Sequence, residues 1–444
     1  GIINEPAGEY EMKTDGECVL ERQENRQRAR HAKRMKRYHQ RKILVLILAV
    51  LVVAVAGFAI LYQAKQSPIK LNGDEEMTIS LNGVYDEPGA TVKIDGKDYS
   101  KKIKIDSDLD TTKAGKYTIK YSVKGYTAKR TVQVTDKMNP TLKLTGTDKI
   151  TVKLGESFDD PGYKATDEKG RDITKDVKVS YDDLNKAGDR KLAYTVEDSK
   201  GNKTRVYRNV TVEPNTSYKT SGLPICMYHY VYDENDPPED LHKRFGNYIS
   251  AQALEEELNW LNSEDYYYPT WKEVREYIDG KLKLPDKSIV LCFDDGAKSF
   301  LDYGIPVLEK CKVPATCFMI TSSNGKEKIA QYQSDYVYYE SHSDNMHRPG
   351  GNIGHGGIFT AISHDDGLAD LKKSIEICGS GDAFAYPYGD YNDSSVALVK
   401  EAGFLCAVTT QPGKAKPGDN PLLLPRVRMS LGQSLEAFQK KVQP

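Results

Sequence analysis

Two adjacent carboxylates, Asp294 and Asp295, end the apolar run SIVLCF and are followed by Gly296. Neighbouring carboxylates repel, so the pair is tolerated beside a cation or, more plainly, solvated in an Asp-Gly turn. A second cluster, ESHSDNMHRPGG, carries His342 and His347 with Ser343 and Asp344 between them. Five residues turn a regular helix through about 140°, so these histidines cannot share one helical face as a zinc-binding pair four apart does. They can converge on a metal only from a loop or an irregular turn, and a histidine in a polar loop is otherwise simply solvated. A third residue, His229, stands at the end of the strand-like run LPICMYHYV.

The elements that must position these groups can be read from the flanking patterns. Residues 288–293 form a short apolar, partly β-branched run, which predicts a buried strand with Asp294 and Asp295 at its C-terminal end, where the loops of barrel and α/β folds carry chemistry. Helical patterns cover 251–261, 271–278, 301–310, 368–377 and 394–402, and the strand-like strings ATCFMI, FAYPYG and CAVTT alternate with the later ones. Alternation over roughly 220 residues predicts an α/β barrel or a doubly wound sheet. His355 and His364, in GGNIGHGGIFTAISHDD, read as solvated residues of a flexible lid or rim.

The chain has 444 residues, enough for two to four domains. Lys and Arg number 63 against 64 Asp and Glu, a balance that argues against nucleic acid as the main partner. The charge is nevertheless polarised, with ten basic residues from Arg22 to Lys42. They abut residues 43–62, an uninterrupted apolar run without charge that is long enough to cross a bilayer as a helix. A cleaved signal peptide is the alternative, but the run is longer than a signal core and a long polar segment precedes it. The excess of basic residues places 1–42 in the cytoplasm and everything after residue 62 outside. The sequence begins at Gly1 rather than Met, which leaves room for residues upstream. The seven cysteines (18, 226, 292, 311, 317, 378 and 406) contain no CxxC pair and read as buried thiols, with Cys311–Cys317 as an alternative disulfide.

Between the apolar run and the α/β pattern the chain repeats itself. YDEPGA at Tyr85 recurs as FDDPGY at Phe158, and TKAGKYTIKYSV at Thr112 recurs as NKAGDRKLAYTV at Asn185; both pairs lie 73 residues apart. One offset shared by two separated strings marks an internal repeat. Ile119, Tyr121 and Val123 alternate with polar residues, as do Leu192, Tyr194 and Val196, which is the period of half-buried strands. The units resemble the bacterial Ig-like modules of Gram-positive surface proteins, expected here to act as a stalk or to bind glycan. EPNTSYKTSG then reads as a polar linker.

CFDDG, SHSDNMH and FAYPYGDYN together resemble the first three motifs of the NodB-like polysaccharide deacetylases, carbohydrate esterase family 4. The resemblance runs from about Leu223 to the C-terminus, and MYHYV ahead of the Asp-Asp motif is most similar to a permuted branch that includes poly-N-acetylglucosamine deacetylases. It implies that Asp295, His342 and His347 hold a divalent metal, that Asp294 is the general base and that His229 is the general acid. Zn²⁺ suits such a set, with Co²⁺, Ni²⁺, Mn²⁺ or Fe²⁺ as alternatives. Pro387, Tyr388 and Arg426 are implied as oxyanion or substrate contacts, with the Tyr388 N–H facing the oxyanion. The family's usual base-orienting Arg is replaced by Ala385, and Arg426 or Arg428 is expected to substitute.

The expected chain is thus multidomain: a cytoplasmic basic segment (1–42), a transmembrane helix (43–62), two all-β Ig-like sandwiches (69–136 and 137–214) and a distorted (β/α) barrel deacetylase domain (220–444). The implied activity is removal of N-acetyl groups from N-acetylglucosamine residues of peptidoglycan or an exopolysaccharide, outside a cell membrane crossed once. An O-acetyl esterase acting on xylan or wall glycan, and an inactive glycan-binding adhesin, are the competing readings.

Overall fold

The computed structural model describes residues 67–135, 139–244 and 246–444. Among these no helix is long and apolar enough to cross a membrane. The expected span 43–62, the basic segment 1–42 and Cys18 lie outside the described residues. The chain forms two compact units, the first ending at Lys137 and the second beginning at Met138.

The first unit contains one β module. Its larger sheet places Glu76–Ser80, Tyr126–Thr135, Gly115–Val123 and Lys104–Ser107 side by side, and Ile69–Leu71, Ala90–Ile94 and Lys97–Asp98 form the smaller one. Ile119, Tyr121 and Val123 are buried while Lys120 between them is exposed, as the alternation requires. The second module, in the second unit, repeats this plan with Lys178–Tyr181, Gly188–Glu197, Lys203–Glu213 and Lys149–Lys153. Each module also buries an arginine completely, Arg130 and Arg208. Its Nε donates to a buried tyrosine hydroxyl (Tyr121 at 3.0 Å, Tyr194 at 3.2 Å), and its Nη2 donates to two loop carbonyls, Asn72 and Gly89 in one module, Thr145 and Gly162 in the other. A buried guanidinium is tolerable because its donors find acceptors, and here it staples loops far apart in sequence.

The rest of the second unit is a closed barrel of seven parallel strands, in order β1 (Ile225–Tyr228), β2 (Val290–Phe293), β3 (Ala315–Met319), β4 (Val337–Ser341), β5 (Ala383–Ala385), β6 (Cys406–Pro412) and β7 (Leu424–Arg428), with β7 pairing back onto β1. Every residue of β1, β2 and β3 is buried, as expected of parallel strands covered by helices on one side and packed within on the other. Helices Ala251–Ser263, Trp271–Ile278, Ile305–Cys311, His364–Cys378 and Asp393–Ala402 are among those that intervene. The pairings Tyr228↔Phe293, Met319↔Ser341 and Ser341↔Phe384 bring the C-terminal ends of β1 to β5 to one rim. The six described cysteines are free thiols, so Cys311 and Cys317 are not bridged.

The stretch after the second module is not a loose linker. Tyr218 packs against the apolar cores of both the module and the barrel. The Asn215 N–H donates to the Gly280 carbonyl at 2.8 Å, and Ala187 and Lys283 donate to Lys281 and Asn185, each at 2.7 Å. Gly280 has φ +68°, and a Cβ there would stand 2.5 Å from the Asn215 carbonyl oxygen, so the close approach requires glycine.

Candidate active site

The barrel rim assembles the groups singled out in the sequence. Asp294 follows the last residue of β2, and its N–H donates to the Tyr228 carbonyl at 3.0 Å, so it continues the ladder beside His229 at the end of β1. Asp295 leaves that ladder with φ +75°, and Ser343 (φ +65°) and Tyr388 (φ +59°) adopt the same left-handed backbone on the same rim. Such conformations are unfavourable for residues with a Cβ and cluster where function fixes them. The two carboxylates therefore part company through a turn, not through the alternation of a continuing strand.

Asp295 Oδ1 lies 3.5 Å from His342 Nε2 and 3.6 Å from His347 Nε2. One ligand atom from each of the three residues falls within 4.8 Å of the others. Ligands bonded to a tetrahedral ion at about 2.0–2.1 Å stand about 3.3 Å apart, so this donor set fits a divalent metal. His342 Nδ1 is 2.7 Å from the Ala385 carbonyl, and donating there leaves Nε2 a free lone pair, the usual outer support of a metal-binding imidazole. Ser343 makes the abrupt turn that returns the chain to His347, whose ring centroid lies 4.7 Å from that of His342. Burial and the neighbouring His342 push His347 down to about 4, keeping it neutral and able to ligate. Burial also depresses His342, but hydrogen bonding to Asp295 and the two carboxylate charges favour a second proton on Nε2 and outweigh it, and a cation held there would take that proton's place.

Asp294, the other carboxylate, is buried in a two-pronged ion pair: Arg426 Nη1 and Nη2 donate to Oδ1 and Oδ2, both at 2.8 Å. Arg426 Nε donates to the Thr409 carbonyl at 2.8 Å, and its side chain is 1% exposed. Burial raises the Asp294 carboxyl, yet Arg426 overcomes that and holds it below the usual carboxylate range. Of the two expectations for Arg426, contact with substrate or an oxyanion and substitution for the base-orienting arginine, this geometry matches the second, since both Nη atoms are turned to Asp294. Arg428, the other candidate for that task, points to Asn247 Oδ1 at 2.5 Å.

His229 is half-buried beside both carboxylates, and desolvation lowers its pKa while Asp294 and Asp295 partly counter this. Pro387 is buried in a short turn with Tyr388, whose ring centroid lies 4.3 Å from that of His347. Asp390, not singled out in the sequence, accepts backbone N–H groups of His355 and Gly357 at 2.9 and 3.0 Å and ties the glycine-rich loop to this turn. His364 is not a lid residue. It opens the helix His364–Cys378 and pairs with Asp365 and Glu401 at 2.9 and 2.8 Å.

Comparison with known protein families gives the same order of domains along the chain. Residues 69–134 and 142–212 match the Ig-like domain of bacterial surface proteins, and residues 281–407 match the polysaccharide deacetylase family. That second match stops short of both His229 and Arg426, the contributions of β1 and β7. The chain is 29% identical over 236 residues to a poly-β-1,6-N-acetyl-D-glucosamine N-deacetylase of Staphylococcus aureus, covering 48% of this chain and 80% of that protein. The Staphylococcus epidermidis enzyme of that name is 29% identical over 237 residues, with 48% and 81% covered. Among solved structures, the Streptococcus pyogenes deacetylase PplD in complex with acetate is similar at 22% identity and a TM-score of 0.45, covering 51% of this chain and 100% of that one. IcaB from Ammonifex degensii is similar at 22% and 0.42, with 51% and 99% covered. The chain accordingly carries a polysaccharide deacetylase domain after two Ig-like domains, and it is a hydrolase of the polysaccharide N-deacetylase class.

Proposed function

We propose that this chain hydrolyses the N-acetyl groups of a β-1,6-linked N-acetylglucosamine polymer with Zn²⁺ held by Asp295, His342 and His347. The observation that carries this reading is the juxtaposition, on one barrel rim, of a three-donor cluster with an arginine-held carboxylate and a half-buried imidazole. The linkage is taken from the staphylococcal relatives. When bound, the cation supplies Lewis acidity, polarising the acetyl carbonyl and making water a nucleophile at neutral pH. Asp294 accepts the proton that water loses as its oxygen bonds to the acetyl carbon. His229 gives a proton to the nitrogen as the amide C–N bond breaks, so acetate and a free amine result. The Tyr388 N–H is assigned to the carbonyl oxygen as charge develops there.

The full chain is expected to release equal amounts of acetate and amine from β-1,6-linked N-acetylglucosamine oligomers. Release of acetate from acetylated xylan, with the oligomers untouched, would replace this reading with an O-acetyl esterase. His229→Ala is expected to slow amide hydrolysis by roughly 10²- to 10⁴-fold. An activated acetyl ester, whose leaving group hardly needs a proton, should lose far less; equal losses would contradict an acid role.

The basic run 22–42 and the apolar residues 43–62 support a further part of the proposal, that the enzyme is anchored in the cell membrane with its catalytic domain outside. Protease added to intact cells should remove the barrel while a tag ahead of Arg22 stays protected. Mature protein cut just after the apolar run and free in the medium would show a signal peptide instead.

A further inference from the structure

The two oxygens of Asp295 face different partners. Oδ1 points at the two imidazole nitrogens, whereas Oδ2 accepts a hydrogen bond of 2.9 Å from the Tyr230 hydroxyl. Tyr230 follows His229 and opens the short strand Tyr230–Tyr232, which pairs in parallel with Tyr248–Ser250. Arg244, in the segment connecting these two strands, has Nη1 3.0 Å from the same hydroxyl oxygen. A guanidinium can only donate, so it occupies a lone pair of the phenol oxygen and leaves the single phenolic proton for Asp295. Arg244 lies over the Tyr230 ring, 5.3 Å from its centroid, and its Nε stands 3.2 Å from Asp240 Oδ2. The other oxygen of Asp240 accepts from the Tyr248 hydroxyl at 2.9 Å. A chain of carboxylate, guanidinium and phenol thus runs inward from a half-exposed segment to one oxygen of Asp295.

We infer that Tyr230 is a positioning residue for the metal centre: its hydroxyl keeps Asp295 Oδ2 occupied, so that the carboxylate offers only Oδ1 to the cation, and Arg244 with Asp240 fixes the direction of that hydroxyl. The inference rests on the reading that Asp295, His342 and His347 bind a metal. A carboxylate free to turn can offer either oxygen or both, and the second oxygen would compete with water and the acetyl group for the remaining coordination positions. Groups that hydrogen-bond a ligand from outside typically contribute roughly 10- to 100-fold to metal affinity or activity.

The test uses the full chain, with Zn²⁺ affinity measured by competition against a chelator of known strength, and kcat and KM measured at saturating Zn²⁺. Tyr230→Phe should weaken Zn²⁺ binding by roughly 10- to 100-fold and lower kcat with KM within about twofold of wild type. Arg244→Met, a change at a half-exposed side chain, should move both quantities the same way by less, which keeps the test valid if the change at Tyr230 harms folding. Zn²⁺ affinity within twofold of wild type in both variants would overturn the positioning role, whatever happens to turnover. Wild-type protein that binds no Zn²⁺ would overturn the metal reading itself, a result distinct from either variant's.

Discussion

Asp294→Asn is expected to leave the metal site loaded and to lower N-acetyl hydrolysis by roughly 10²- to 10⁴-fold. The amide is nearly isosteric with the carboxylate, so it can still accept from Arg426 through its one oxygen, but it cannot take a proton at neutral pH. Asp294 is not one of the three convergent donors, and both its oxygens are turned to Arg426, so the change leaves Asp295, His342 and His347 where they are. Asp295→Ala acts on the other half of the pair. It deletes the single anionic ligand of three and should empty the site, abolishing turnover through loss of metal. Amine release, compared with metal content in each variant, separates the two outcomes.

Arg426→Ala should destabilise the barrel by about 3–5 kcal/mol, because removing one partner of a buried ion pair strands the other charge away from water. The side chain is 1% exposed and no described cation replaces its bonds to Asp294. Its removal should also reshape the pH profile. Arg426 holds the Asp294 carboxyl below its ordinary value against the opposing effect of burial, so without it burial prevails and that pKa rises. The base is then ionised only at higher pH, and the acidic limb of the kcat/KM profile moves upward. Arg426→Lys keeps a charge but loses the planar two-pronged geometry, so it should fall between wild type and Ala. Denaturant unfolding and pH–rate profiles of both variants check this; an acidic limb that stays in place would mean that Arg426 does not set the ionisation of Asp294.

These assignments were legible in the sequence to different depths. The apolar run before Asp294 marked a buried parallel strand, and the period-two alternation marked the β modules, because burial on both faces or on one leaves a direct trace in residue type. The same alternation puts Arg130 in phase with Val132 and Val134, and Arg208 in phase with Val210 and Val212, so the buried arginines were readable had parity been followed through a charged residue. Arg426 shares parity with Leu424, but so does Arg428, and only the end of the strand separates them. The helical pattern over 368–377 matches the helix His364–Cys378 but falls one turn short of its start, although Ser363 caps it, accepting from the Asp366 N–H at 3.2 Å, a signal that the neighbouring glycines obscure. Tyr218 looked like part of a linker because nine polar or small neighbours surround one aromatic. Tyr230 meets Asp295 across 65 residues, and Arg244 meets Tyr230 through a turn. Contacts of that kind come from chain closure and leave no periodic mark.

The central claim, that Asp295 with His342 and His347 holds the metal on which hydrolysis depends, is tested most directly by counting metal per chain beside amine release. Elemental analysis of wild type, Asp294→Asn and Asp295→Ala, purified identically, should give about one divalent ion per chain in the first two and little in the third. Only wild type should deacetylate at full rate, and chelation followed by added Zn²⁺ should remove and restore that rate. Asp295→Ala that kept both its metal and its activity, or Asp294→Asn that lost its metal, would contradict the account.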